Sequence, residues 1–157
     1  MVEVHHTEQE LPAPFETATV RDAMSPGVIS CPPETPLRVV ARMMATFNVH
    51  SIFVFEHQDE DDENPTLWAI VSDLDLVAAS RLDLDARTAG ASAVTPIVSV
   101  PTTAPIHDAA ELMAQHGVAH LAVVDPDTGR PVGVVSTLDI ARSIAAGHGE
   151  RETFPSA

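Results

Sequence analysis

Two short segments carry residue types at a spacing that could do chemistry. They are Gly133-Val134-Val135-Ser136-Thr137-Leu138-Asp139-Ile140 and Ala69-Ile70-Val71-Ser72-Asp73-Leu74-Asp75-Leu76. In each, a serine ends an apolar run, an aspartate follows three residues later, and an aliphatic residue comes next. If a strand runs into a helix at this point, the serine hydroxyl and free backbone N–H groups lie at a helix N-terminus, where the dipole favours an anion. The carboxylate one turn further on can accept hydrogen bonds from two vicinal sugar hydroxyls. A phosphate and a ribose beside an apolar strand describe a nucleotide-shaped site. The same spacing is also a capping box, which stabilises a helix start and nothing more. Recurrence does not choose between these alternatives, because two helices need two caps.

The elements that must position these segments are legible as an internal repeat. Thr35–Glu56 aligns with Ala104–Asp125, bringing Leu37 onto Ile106, Val40 onto Ala109, Ala41 onto Ala110 and Met44 onto Met113. Those positions are spaced as the buried stripe of a helix. Pro36 and Pro105 are expected in the first helical turn, where a missing N–H costs nothing. Asn48 and Gly117 close the helices, being the residue types that most easily turn left-handed. A strand follows in each copy, Ser51–Phe55 and His120–Val124. The copies then differ in loop length. The second turns tightly through Asp125-Pro126-Asp127-Thr128-Gly129, whereas the first makes an excursion from Glu56 to Pro65 through an acidic run. A further strand leads into a further helix in both: Leu67–Val71 then Ser72 to about Ser80, and Pro131–Val135 then Ser136 to about Ala146. Upstream, Met24-Ser25-Pro26 resembles Val94-Thr95-Pro96, with short strands expected at Val28–Ser30 and Ile97–Val100. Each copy therefore reads β-α-β-β-α. A small sheet with helices on one side leaves an apolar face bare, so the two copies are expected to pack as one pseudo-symmetric domain. The expected divisions are a flexible arm over 1–16, a first repeat over 17–82, a second over 83–147 and a tail over 148–157.

Composition removes several functions. Eight basic residues oppose 23 acidic ones in a chain of 157, a formal net charge of −15, which disfavours a nucleic-acid or anionic-membrane surface. All the basic residues are arginine, so Schiff-base and Walker-lysine chemistry are excluded. Cys31 is the single cysteine, which rules out a disulfide framework within the chain and reads as a small buried side chain. The N-terminal residues lack the pattern of a signal peptide and no apolar run is long enough to span a bilayer, so a cytoplasmic location is expected. The acidic run lacks the glycine and terminal glutamate of a calcium loop. His116 and His120 are separated by the helix-ending Gly117 and do not form a zinc pair. No metal site and no catalytic residue is assigned.

The duplicated β-α-β-β-α unit and the glycine–aliphatic–aliphatic–serine–x–x–aspartate junction resemble the cystathionine-β-synthase (CBS) domain family over about Thr19 to Ala146. The segment Gly117–Asp125 resembles that family's helix-exit strand. The resemblance implies an α+β fold of two pseudo-symmetric CBS repeats packed as one CBS-pair module, with two clefts between the sheets. It implies a non-catalytic regulatory function, with an adenosine-containing ligand such as AMP, adenosine or S-adenosylmethionine in the clefts and no required cofactor. By position, Ser136 and Asp139 form the stronger phosphate and ribose pair, and Ser72 and Asp75 the second. Ile29 and Val98 are expected to flank a base, and His50 and His120 to lie at the helix exits.

Three departures bear on the ligand. Ala69 replaces the junction glycine in the first repeat, and its methyl is expected to narrow that cleft. The arginine often found at the helix exit is absent from both copies, leaving Arg142, Arg38 or Arg42 to oppose a phosphate. A site so poor in cations should prefer fewer phosphates, hence adenosine, AMP or S-adenosylmethionine over ATP. The expected partners are that small molecule, a second copy of the chain packed through the helices, and an unidentified target protein. The alternative is a CBS pair that binds no ligand and serves for dimerisation or docking, its serine–aspartate boxes acting as caps.

Overall fold

The computed structural model describes residues 14–57, 61–93 and 97–146. The proposed tail over 148–157, most of the N-terminal arm and part of the acidic run lie outside the described residues. Two helices anchor the fold, α2 (Leu37–Phe47) and α5 (Ile106–His116). α2 buries Leu37, Val40 and Met44, and α5 buries Ile106, Ala109 and Met113, at the spacing the apolar stripe requires. Asn48 and Gly117 both take the left-handed conformation, with their N–H groups donating to the carbonyls of Met44 and Met113. Pro36 and Pro105 differ from expectation: each is the extended residue just before its helix rather than part of the first turn. Neither can supply a side-chain cap, and backbone elsewhere takes that role. The Leu37 and Arg38 amides donate to the carbonyls of Arg87 and Leu84, and the Ile106 amide donates to that of Ala18.

Those caps reveal an exchange between the repeats. The short helix α1 (Val20–Ala23) opens the first repeat yet packs into the core of the second, where Val20 is fully buried with Ile106, Leu121 and Val135. The short helix α4 (Ala89–Ser92) lies near the start of the second repeat yet packs into the core of the first, where Ala89 is buried beside Leu37 and Val40. Isolated bridges Thr19–Pro105 and Pro36–Thr88 fasten the two exchanges. Order extends earlier than Thr17: the Phe15 amide donates to the Ser143 carbonyl, and its ring packs against the second core.

The strands follow the same logic. One sheet contains β2 (Ser30–Cys31), β3 (Ser51–Glu56) and β4 (Thr66–Ser72) in that order. The other runs β1 (Ser25–Pro26), β7 (Pro131–Ser136), β6 (His120–Val124) and β5 (Ser99–Pro101). Alternation along each strand divides the apolar residues between two faces. Ile52, Val54 and Val71 face the helices of the first repeat, and Leu121, Val123 and Val135 face those of the second. Phe53, Ile70 and Ala122 point the other way and meet in a third cluster, joined by Phe55, Leu67 and Val134 from both sheets. The bare sheet faces thus cover each other. The upstream strands fall slightly later than expected, at Ser30–Cys31 and Ser99–Pro101. β4 leads into α3 (Asp73–Ala79) and β7 into α6 (Thr137–Ala146).

β1 explains one glycine. Ser25 and Pro26 pair antiparallel with Val134 and Gly133. A Cβ on Gly133 would lie 2.5 Å from the Ser25 carbonyl oxygen, so only glycine lets the two backbones approach so closely. The first strand of the chain therefore lies over the junction of the second repeat.

Candidate functional site

That approach creates a cavity of about 300 Å³ at the end of β7. Its walls come from both repeats: the Ser25–Ile29 segment, the helix exit Asn48–Ser51 with Phe53, and His120, Val134, Ser136 and Asp139. The volume lies at the lower end of the range usual for small-molecule sites, roughly 300–1,000 Å³. Part of the lining is apolar, through Val28, Ile29, Phe53 and Val134 among others. The polar part comprises Asp139, His50, His120, Asn48 and the serines Ser25, Ser51 and Ser136.

The junction box of the second repeat is complete. Asp139 Oδ2 accepts from the Ser136 amide at 2.8 Å and from the Ser136 hydroxyl at 3.0 Å, while the Asp139 amide donates to Ser136 Oγ at 3.3 Å. Asp139 Oδ1 faces the Arg142 guanidinium at 3.7 Å. The Thr137 amide donates to the Ala119 carbonyl. In the first repeat, the Ser72 amide donates to Asp75 Oδ2 at 2.9 Å, the Asp75 amide to Ser72 Oγ at 3.3 Å, and the Asp73 amide to the His50 carbonyl. The free backbone N–H groups expected here are thus largely committed: the amides of Ser136, Thr137 and Asp139, and of Ser72, Asp73 and Asp75, all have acceptors. The capping alternative is realised at both junctions. At Asp139 it uses one carboxylate oxygen, and the residue still lines the cavity.

The two imidazoles meet across the repeat boundary. His50 and His120 stack with ring centroids 6.1 Å apart and planes inclined by 21°. His50 Nδ1 lies 2.9 Å from Asp73 Oδ2. Burial lowers the pKa of His120 below its ordinary value, as does the neighbouring His50, while Asp73 and Asp139 oppose the shift. Cys31, by contrast, is buried in the first core, and desolvation raises its thiol pKa, the reverse of what a nucleophile needs. Among the described residues, no group of three or more His, Cys, Asp or Glu side chains is arranged to hold a metal ion. None of the described helices is long and apolar enough to cross a membrane.

The CBS domain family model matches residues 20–82 and 91–146. The chain belongs to the CBS domain family. It is similar to the CBS domain protein of Pyrobaculum aerophilum solved in complex with AMP, with 31% identity and a TM-score of 0.66, over 82% of this chain and 98% of that one. It is also similar to Hypoxic Response Protein I, solved with two coordinated zinc ions, with 30% identity and a TM-score of 0.59, over 80% of this chain and 98% of that one. The CBS domain pair of protein MJ0100, in complex with 5′-methylthioadenosine and S-adenosyl-L-methionine, shares the fold at 20% identity and a TM-score of 0.71, over 83% of this chain and 98% of that one. No curated protein sequence matches the chain.

Within the CBS pair, five of the sequence-derived candidates come together in the cavity: Ile29, His50, His120, Ser136 and Asp139. Ser72, Asp75 and Val98 do not line it. Ser72 and Asp75 are buried at their own junction, and Val98 packs against the second core. Arg38, considered as a phosphate partner, instead pairs with Asp85 at 2.7 Å on the exposed side of α2. Sequence reasoning missed the Ser25–Val28 segment, Phe53, Val134 and Asp73. Phe53 and Val134 could have been found from strand alternation, since they point away from the helix-facing residues. The likeness of Met24-Ser25-Pro26 to Val94-Thr95-Pro96 marked the segment, but not its place beside Gly133.

Proposed function

We propose that this CBS pair is a non-catalytic regulatory module that binds an adenosine-containing ligand between its repeats and passes occupancy to a partner protein. One observation carries the reading: a single cavity joins the Ser136–Asp139 box of one repeat to the helix exit of the other, with an apolar wall for a flat ring. A ligand seated there would touch both repeats. It would then favour the inter-repeat angle that fits it best, which is how differential affinity becomes a signal. The AMP complex of the relative from Pyrobaculum aerophilum supports the ligand class. Asp139 Oδ1 would take a ribose hydroxyl, with Ile29 and Val28 against the base. Arg142 is already engaged with Asp139, so adenosine, AMP or S-adenosylmethionine is preferred over ATP.

Melting curves with each of these ligands test the reading. A ligand present at 100 times its dissociation constant should add about 2.7 kcal/mol of stability. If none raises the melting temperature, the proposal fails.

A second reading rests on a different observation. An open apolar depression of about 490 Å³ lies at the C-terminal end of α5, lined by Leu74, Met113, Ala119, Thr137 and Ile140 among others. Leu74, Val77, Leu138 and Ile144 are exposed on the junction helices. Such a surface suits a second copy of the chain, packed through its helices. In that case the module serves for dimerisation or docking. Sedimentation measures the association directly, and Leu74→Glu should reduce it.

A further inference from the structure

The cleft has an unusual charge inventory. The acid in its lining is Asp139, on α6; a second, Asp73 at the start of α3, lies outside the lining but is bonded to His50. Its nearest cation, Arg142, faces Asp139 at 3.7 Å and is 62% exposed. The junction amides of Ser136, Thr137 and Asp139 already have acceptors and are not free to receive an anion. What remains is the imidazole pair, contributed by the helix exits of the two repeats. His50 projects from the loop before β3 and His120 opens β6. The charged or titratable groups interacting with His120 are Asp73, His50 and Asp139. Imidazole is the side chain whose charge ordinarily changes near physiological pH.

We infer that His50 and His120 determine the charge of the ligand this cleft accepts. Unprotonated, they leave the two carboxylates dominant, and the cleft takes an uncharged or cationic adenosine ligand. Protonated, they turn the same wall into a receptor for an anionic 5′ group. The stacked geometry adds a coupling: two protonated rings 6.1 Å apart repel each other, and an anion lodged against them relieves that repulsion. Binding an anionic ligand should therefore draw a proton onto the pair. This inference rests on the ligand-binding reading above and adds the selection of charge.

The test uses two probes of fixed charge, adenosine and adenosine 5′-sulfate, because the second ionisation of a phosphate ester falls near pH 6 and would confuse the result. Calorimetric titrations of the full chain at about pH 5 and about pH 8 span the ordinary histidine range and extend below it, where the depressed His120 takes up its proton. The sulfate ester should bind roughly tenfold more tightly at the lower pH, while adenosine changes by less than about twofold. His120→Gln should flatten the pH dependence of the ester. His50→Gln, at a largely exposed position, provides a second variant should the first fold poorly. Calorimetry in buffers of different ionisation enthalpy should also show proton uptake with the ester only. A wild-type ester affinity that is equal at both pH values, with adenosine still bound, would overturn the charge selection and leave the function standing. Retention of the pH dependence in both variants would overturn it as well. Failure of both probes to bind at either pH would overturn this inference, and the function falls with it when AMP and S-adenosylmethionine also leave the melting temperature unchanged.

Discussion

In the second repeat the strand-to-helix junction opens on Gly133, and the backbone of Ser25 lies across it; in the first, the same place is held by Ala69, on a strand at the edge of its sheet. Both junctions then continue through a serine and an aspartate that cap a helix in the same manner. The cavity of about 300 Å³ adjoins only the Ser136–Asp139 box. The difference teaches that a serine–aspartate box does not by itself open a cavity. What opens one here is a neighbouring backbone close enough to form a second wall, and a glycine makes room for that backbone.

The strongest way to break this comparison is Gly133→Ala. Its methyl would meet the Ser25 carbonyl, so the variant should lose about 1–3 kcal/mol in denaturant unfolding, as overpacked sites do, and lose any ligand-induced rise in melting temperature. Ala69→Gly should cost only about 0.5–1 kcal/mol from added chain freedom and leave that rise intact. Equal effects at both positions would erase the distinction. Next comes the carboxylate pair. Asp139→Ala and Asp75→Ala each remove half of a capping box and should each cost about 0.5–2 kcal/mol. Only Asp139→Ala should also abolish the ligand response, which melting curves with adenosine or AMP would show.

A smaller effect concerns pH. His120 has a depressed pKa in the folded chain, so the unfolded chain takes up its proton first as pH falls below the ordinary value of 6.5. Stability is therefore retained above that value and declines on acidification toward the folded pKa. Urea unfolding across that range should show the decline, and His120→Gln should reduce its slope. The smallest effect belongs to Asp85→Asn. The Arg38 guanidinium holds the Asp85 carboxyl below its usual pKa, but the pair is open to solvent. Its loss should barely move the melting temperature.

Much of this arrangement was legible from residue order alone. The apolar stripes of α2 and α5, their left-handed endings at Asn48 and Gly117, and the apolar runs of β3 and β6 are local patterns, and the folded chain keeps them. Four residues that line the cavity, Ser136, Asp139, His50 and His120, followed from the junction and helix-exit positions, and Ile29 from the first strand. Less accessible were features decided by residues far apart in the chain. β1 is two residues long and has no periodicity to reveal it; its place is set by the opening at Gly133. The stacking of His50 on His120 depends on how the two sheets face each other. The commitment of the junction amides could not be weighed against an anion until their acceptors, including the carbonyls of His50 and Ala119, were located. The prolines before α2 and α5 were expected inside the helices because their caps are supplied by distant backbone.

The exchanged helical turns have a consequence for how the chain is made. Val20 emerges early in synthesis, yet the pocket that receives it is built from Ile106, Leu121 and Val135, which emerge much later. Until then the opening segment has nowhere to dock, and the first half must wait with its sheet uncovered. Cutting the gene between the halves would strand each opening turn on the wrong fragment. The pair should acquire its native form only when both fragments are present together, as a single late event rather than two successive ones.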